Sequence, residues 1–212
     1  MPSLSRRNLI LGGSAIIGVA TLMSKPSDKS GPRADYFLDL QKALTEAGIA
    51  QPTLVVDRAR LNANIDTLMA HLPAGMGYRI VAKSLPSLGL IDYIRQRAGT
   101  DRLMAFNLPM LSELSRQMPA ANQLLGKPLP VRAAQSYFQD LSSENQDAAG
   151  RIQWLIDSND RLRQYSELAD ALDQPMQINL ELDVGLHRGG FEPGAELQTA
   201  LEIRDQNDHL HR

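Results

Sequence analysis

Residues 176–191 read "MQINLELDVGLHRGGF", and the change of character partway through this stretch decides how the chain folds. From Met176 to about Gly185, apolar and polar residues alternate with the period of two that marks a β-strand. Its end is crowded with Glu181, Asp183, His187, Arg188 and three glycines, Gly185, Gly189 and Gly190. A strand that runs out into charge and glycine suits a parallel α/β fold, where polar working groups collect at the carboxyl ends of strands. Alternation puts Glu181 and Asp183 on one face. A carboxylate there is expected to neutralise and orient the Arg188 guanidinium in part. The glycines let the backbone turn sharply and approach a ligand closely. His187 reads either as a proton carrier or as a solvated, hydrogen-bonding residue.

Outward from this stretch the same strand, turn and helix recur. "TLVVD" (53–57) is β-rich, and Asp57 is expected to cap a helix carrying Leu61, Ile65, Leu68, Met69 and Leu72. "YRIVAKS" (78–84) is the next expected strand, followed by a helix through Leu88, Ile91 and Ile94. "RLMAFN" (102–107) leads into a helix starting near Pro109. A short apolar strand near Leu124 and Leu125 precedes a helix over about 133–141. "IQWLID" (152–157) is a strand whose lone tryptophan, Trp154, fills either the core or the barrel, and Ser158 caps the helix of Leu162, Tyr165, Leu168 and Leu172. A helix over about 195–204 ends the pattern, and another over about 34–47, stopped by Gly48, precedes it.

Strands alternating with helices imply parallel strands joined by right-handed crossovers. No G-x-G-x-x-G turn follows the first strand, which weighs against a dinucleotide-binding sheet. The expected fold class is therefore α/β, an incomplete (β/α)8 TIM barrel of about six βα units. A complete barrel has eight units and about 250 residues. Two strands are thus expected beyond the polar ending "DQNDHLHR", with the chain truncated there. Unpaired strand edges would leave such a piece poorly soluble by itself.

Formal net charge is −2, and the first thirty residues contribute +3 through Arg6, Arg7, Lys25 and Lys29 against Asp28, leaving −5 on the rest. A mildly acidic body without a basic stripe gives no reason to expect nucleic acid as a partner. The chain has no cysteine, which excludes disulfides and thiolate metal sites within it. "SRRNLILGGSAIIGVATLM" (5–23) sets two arginines before a short, glycine-interrupted apolar run. That run is too short and too weakly apolar for a comfortable span, and fits a signal peptide. Ser5-Arg6-Arg7-Asn8-Leu9-Ile10 resembles the twin-arginine signal, S-R-R-x-hydrophobic-hydrophobic. This implies the Tat export machinery as a partner and a periplasmic location, with a membrane tether if the signal stays uncleaved. The expected division is 1–30 as signal and linker and 31–212 as barrel.

Lys83 stands at or next to the end of its strand and shares a face with Arg79 and Val81. Burying an unpaired ammonium costs several kcal/mol, and the neutral amine that burial favours is the form that attacks an aldehyde. The alternative is a rim charge that reaches solvent on its long stem. His71, His209 and His211 show no metal-ligand spacing with His187, so no metal is assigned.

Taken together, "PTLVVDRARLNANI" (52–65), "RIVAKSLPS" (79–87) and "LELDVGLHRGGF" (180–191) resemble the fold-type III pyridoxal-phosphate enzymes. The D-threonine aldolase and D-serine dehydratase group is the nearest branch, with alanine racemase and the small PLP-homeostasis proteins as relatives. The resemblance implies a barrel of the alanine racemase N-terminal type, with pyridoxal 5'-phosphate carried on Lys83 as an imine. It implies that Arg188 contacts the cofactor's phenolic oxygen or the substrate region. Glu181 falls where alanine racemases place a carbamylated lysine beside their arginine. Gly185 keeps the turn clear of side-chain bulk, His187 lies in the same cofactor-binding loop, and Arg79 lies beneath Lys83 inside the barrel. The aldolase and dehydratase branch carries an "RPHxKTHK"-like strand where this chain has "RIVAKSLPS", so aldolase, dehydratase and racemase chemistry all stay open. A divalent metal and a second catalytic base would come from a C-terminal β-domain in the two-domain members. The implied function is a PLP-dependent lyase or isomerase acting on D-amino acids or β-hydroxy-D-amino acids, a homodimer when full length. As a 212-residue fragment the chain is expected to be inactive. A non-catalytic, PLP-binding homeostasis protein is the alternative, and an exported barrel for another small ligand is the third reading.

Overall fold

The structure is a computed structural model that describes residues 31–84, 86–141, 146–185 and 187–211. The expected signal segment, 1–30, lies outside the described residues. The chain divides into two compact units, 1–55 and 56–212. In the first, helix α1 (Asp35–Glu46) buries none of its residues, and Gly48 ends it with φ +68°, a conformation glycine adopts without steric cost.

The second unit is a repeating α/β structure, in chain order α2 (Arg58–Ala70), β1 (Ile80–Val81), α3 (Leu88–Ala98), β2 (Arg102–Ala105), α4 (Leu108–Gln117), β3 (Asn122–Leu125) and α5 (Val131–Asp140). It continues with α6 (Gln146–Ala149), β4 (Ile152–Ile156), α7 (Asn159–Leu172), β5 (Met176–Leu180), α8 (Ala195–Asp205) and β6 (Leu210–His211). The helix starts follow from local chemistry. Asp57 accepts from the Arg60 amide at 3.0 Å, Asn107 from Met110 at 2.9 Å, and Ser158 from Arg161 at 3.3 Å. Each side chain thereby satisfies a donor that the first helical turn leaves without a partner. Asp57 and Ser158 are the caps read from the sequence.

All strand pairings of the sheet are parallel, and its order is β1-β2-β3-β4-β5-β6. A doubly wound sheet reverses its order at a switch point. This one never does, so its winding is that of a (β/α)-barrel wall, and the α/β class read from the sequence holds.

Side-chain alternation divides the sheet into two faces. Ile80 and Ala82, Leu103 and Ala105, Ile152, Trp154 and Ile156, and Met176 and Ile178 are buried, and they form one cluster with Leu111, Leu114, Tyr137, Leu162 and Tyr165 of the helices. Trp154 is a core residue and not barrel filler. Its ring lies 5.9 Å from Tyr137, 5.8 Å from Phe138 and 5.6 Å from Tyr165 between centroids, distances at which aromatic pairs add to simple burial. Buried Gln123 is held in the same layer, donating to Ser115 Oγ at 2.9 Å, while the Tyr137 hydroxyl donates to that oxygen at 2.8 Å. On the opposite face Arg79 spans three strands. Its Nη1 donates to the Leu103 and Asn122 carbonyls at 2.9 and 3.1 Å, and its Nη2 to Gln153 Oε1 at 3.4 Å.

Four expectations change. Residues 53–57 form no strand, and Leu54, Val55 and Val56 are exposed. A β-rich run becomes a strand only when a neighbour supplies its ladder. The strand expected over 78–84 contracts to Ile80–Val81, and that over 176–185 ends at Leu180. The "DQNDHLHR" ending contains β6, because buried Leu210 anchors it and the Met176 amide donates to the His209 carbonyl at 2.8 Å. Helix α6 was not legible in the polar stretch that contains it.

Replacing Trp154 by Ala removes the ring around which Tyr137, Phe138 and Tyr165 pack. It is expected to lower the unfolding free energy by about 3–5 kcal/mol, measured by denaturant titration. A loss below about 1 kcal/mol would show that the helix layer is not built on this residue.

Candidate functional site

Apart from Arg79, the residues singled out from the sequence lie at the carboxyl ends of the strands, in two groups. The first lies beyond β1, β2 and β3. Lys83 sits in the turn two residues past Val81 and is exposed, so of the two positions open to it in the sequence, buried amine or rim charge, it takes the rim. A short strand, Ile80–Val81, ends before Lys83 and leaves it in the turn. Its ammonium rests over the Phe106 ring, with Nζ 4.3 Å from the centroid, within the range of a cation–π contact. Among the described residues no carboxylate lies within ion-pair distance of Lys83.

The second group is the loop after β5. Asp183 organises it and not through Arg188. Asp183 Oδ1 accepts from the Gly185 and His187 amides at 2.9 and 3.0 Å, and Oδ2 faces His187 Nδ1 at 2.9 Å. The two amide donors, joined by the His187 ring, hold the Asp183 carboxyl below the usual carboxylate range. His187 adopts φ +49°, which few non-glycine residues do, and its ring stands exposed at the loop tip. With Nδ1 directed at the carboxylate, Nε2 is left facing outward.

Arg188 is exposed, and among the described residues it forms no ion pair with Glu181 or Asp183. That expectation is corrected. The Asp183 oxygens are consumed by the turn itself, because amides two and four residues along reach them without stretching the chain. Glu181 enters the turn through its backbone, its amide donating to the Ile156 carbonyl at 2.8 Å and its carbonyl accepting from the Phe191 amide at 2.7 Å.

Gly185 has open space where a Cβ would stand, so the turn needs it for φ +109° and not to avoid bulk. The steric constraint falls on Gly190, where a Cβ would stand 2.9 Å from both the Asp183 nitrogen and the Glu181 oxygen. The returning chain thus lies flat against the strand end, secured by the Asp183 amide donating to the Phe191 carbonyl at 3.0 Å.

Arg79 belongs to neither group. Its guanidinium ties the amino-terminal starts of β2, β3 and β4, and desolvation by burial, with Arg102 nearby, lowers its pKa from the ordinary arginine value. It also lines a cavity of about 560 Å³ at that end, with Arg102, Asn122 and Arg151. Arg79 is therefore a brace between strands. Phe106 and Gly126 were not singled out from the sequence. No pattern exposed them, because their relation to Lys83 crosses three strands. Among the described residues no three His, Asp or Glu side chains gather as a metal site.

This is an α/β protein of barrel-type winding, with an accessible amine and, at the same end of its sheet, a glycine-rich loop that carries an exposed arginine. The chain belongs to the family described as "Alanine racemase, N-terminal domain", which matches residues 56–212. Solved structures share the fold at low identity. D-threonine aldolase from Filomicrobium marinum aligns with a TM-score of 0.64 and 18% identity over 77% of this chain and 42% of its own. Alanine racemase of Clostridium difficile 630 aligns with a TM-score of 0.59 and 17% identity over 76% and 41%. Histidine racemase from Leuconostoc mesenteroides aligns with a TM-score of 0.55 and 17% identity over 71% and 38%. The chain spans about two fifths of the length of these structures. No curated protein matches it.

Because the Asp183 pKa is depressed in the folded chain, its contribution is present above the unfolded value of about 3.9 and is lost as pH falls through the folded value. Hydrogen exchange at the Gly185 and His187 amides, corrected for the intrinsic rate, is expected to show protection at about pH 6 that persists down to the unfolded value of about 3.9 and is lost only below it. Asp183→Ala removes the protection at both. Equal protection in that variant would mean that the turn is held by something else.

Proposed function

We propose that the protein to which this chain belongs is a pyridoxal-phosphate-dependent lyase or isomerase acting on D-amino acids or their β-hydroxy derivatives, with Lys83 carrying the cofactor. One observation carries the reading. An accessible primary amine, free of any carboxylate partner among the described residues, stands at the carboxyl end of the first strand of the sheet, in a chain of the alanine racemase N-terminal domain family. The structures sharing this fold are described as racemases of alanine and histidine and as an aldolase of D-threonine. All three descriptions name amino acids.

The residues present fit the aldehyde end of the cofactor. Condensation needs an amine that can shed its proton and that no carboxylate holds, and Lys83 meets the second condition by its position. When bound, the cofactor supplies an electron-poor ring that spreads the charge left when a bond at the substrate α-carbon breaks. Lys83 would hold the cofactor at the end of β1. Arg188, exposed and without an acid partner among the described residues, offers a planar guanidinium for the cofactor's phenolic oxygen or a substrate carboxylate. Asp183 keeps the His187 ring oriented, with Nε2 free to take or give a proton. Glu181 supplies a negative charge in the same loop, and Gly185 and Gly190 hold that loop against the strand end. The homodimer belongs to the same proposal.

Treatment of the protein with pyridoxal 5'-phosphate and borohydride, followed by peptide mass mapping, is expected to place the pyridoxyl group on Lys83, and Lys83→Ala to abolish that adduct. Uniform labelling of Lys42, Lys83 and Lys127 would end the assignment.

The proposal extends to export, on the motif Ser5-Arg6-Arg7-Asn8-Leu9-Ile10. Residues 1–30 fused to a folded reporter are expected to carry it to the periplasm, and Arg6→Lys with Arg7→Lys to keep it in the cytoplasm. Export that survives the double substitution rules out the twin-arginine route.

A further inference from the structure

We infer that Phe106 is the positioning residue for Lys83, and that position 126 is glycine so that the Phe106 ring can occupy its place; this rests on the proposed role of Lys83. The three residues lie just past the ends of neighbouring strands, β1, β2 and β3. Lys83 is exposed and tied by no ion pair among the described residues, so its long side chain would otherwise sample many rotamers. The ring face beneath Nζ, 4.3 Å to its centroid, is the contact that selects among them.

Gly126 explains the ring's position in turn. A Cβ on Gly126 would stand 2.5 Å from Phe106 Cζ, closer still to Cε1, and 2.9 Å from Met104 Sδ. Glycine is not required there by the backbone, since residue 126 is absent from the positive-φ glycines. Nor can the backbone retreat easily, because the Gly126 amide donates to the Ala105 carbonyl at 2.8 Å, immediately before Phe106. A methyl group at 126 therefore displaces the ring and not the chain. Displacing the ring removes the surface on which Lys83 rests. The cofactor's aldehyde must meet the amine in one orientation, so the packing of two other strands governs capture at the first.

Two reagents test this on the full chain. Acetic anhydride reports how freely the Lys83 amine moves, and pyridoxal 5'-phosphate with borohydride reports oriented capture, each scored by mass mapping as Lys83 over Lys42. Phe106→Leu keeps apolar bulk but loses the ring face. It is expected to raise the acetylation ratio roughly threefold and to lower the pyridoxylation ratio by a similar factor. Gly126→Ala is expected to reproduce both changes. Added to Phe106→Ala, which vacates the space, it should move neither ratio further. Opposite signs are the signature, since local loosening of the fold would move both ratios the same way. Unchanged acetylation, parallel changes, or an additive effect of Gly126→Ala overturns the inference. Raised acetylation with no Lys83 adduct in the wild type overturns the cofactor assignment and leaves the Phe106 contact standing.

Discussion

The parallel ladder that joins each strand to the next in sequence constrains everything else in this molecule. A strand of two to five residues has almost no stability of its own. These strands persist because each shares its backbone hydrogen bonds with neighbours and lays alternate side chains against a helix layer. That layer, centred on Trp154, Tyr137 and Tyr165, excludes charge from one face of the sheet. Charged groups are left to the other face and to the strand ends. Arg79 takes the first place, where its planar fork meets carbonyls of two strands and the Gln153 amide. Lys83 and the 181–191 loop take the second.

Each end group solves a different problem. In the loop after β5, a chain leaving a strand must reverse without burying unpaired amides. Asp183 meets this by accepting from two amides, and Gly190 lets the returning chain lie against the strand. The carboxylate is thereby committed to the backbone and to His187, which leaves Arg188 free for a partner other than Asp183. An arginine already neutralised by its own loop would have little left for an anionic ligand. At β1 the problem is the order of one flexible side chain. Its solution is an aromatic face drawn from β2, with room for that ring left by the missing side chain at Gly126.

Sequence and structure part company where an outcome depends on neighbours. Asp57, Asn107 and Ser158 cap helices through atoms three residues away, so Asp57 and Ser158 were legible as caps. The core strands were legible because alternation is a property of one chain segment. "TLVVD" and "DQNDHLHR" misled for the same reason in opposite directions. The first has strand-forming residues without a ladder, and the second gains a ladder through Leu210 despite its polarity.

What the sequence determined by itself is the alternation of strand and helix, the parallel winding that follows, and the placing of Lys83, Glu181, Asp183, Gly185, His187 and Arg188 at strand ends. The alternation is a property of single segments, and the winding follows from it through short right-handed crossovers. Tertiary structure alone decided that Asp183 serves His187 and the backbone instead of Arg188, that Arg79 braces the far end of the sheet, and that Phe106 lies under Lys83. Those outcomes were settled by competition for the same oxygens and the same space among groups that meet only once the sheet has formed.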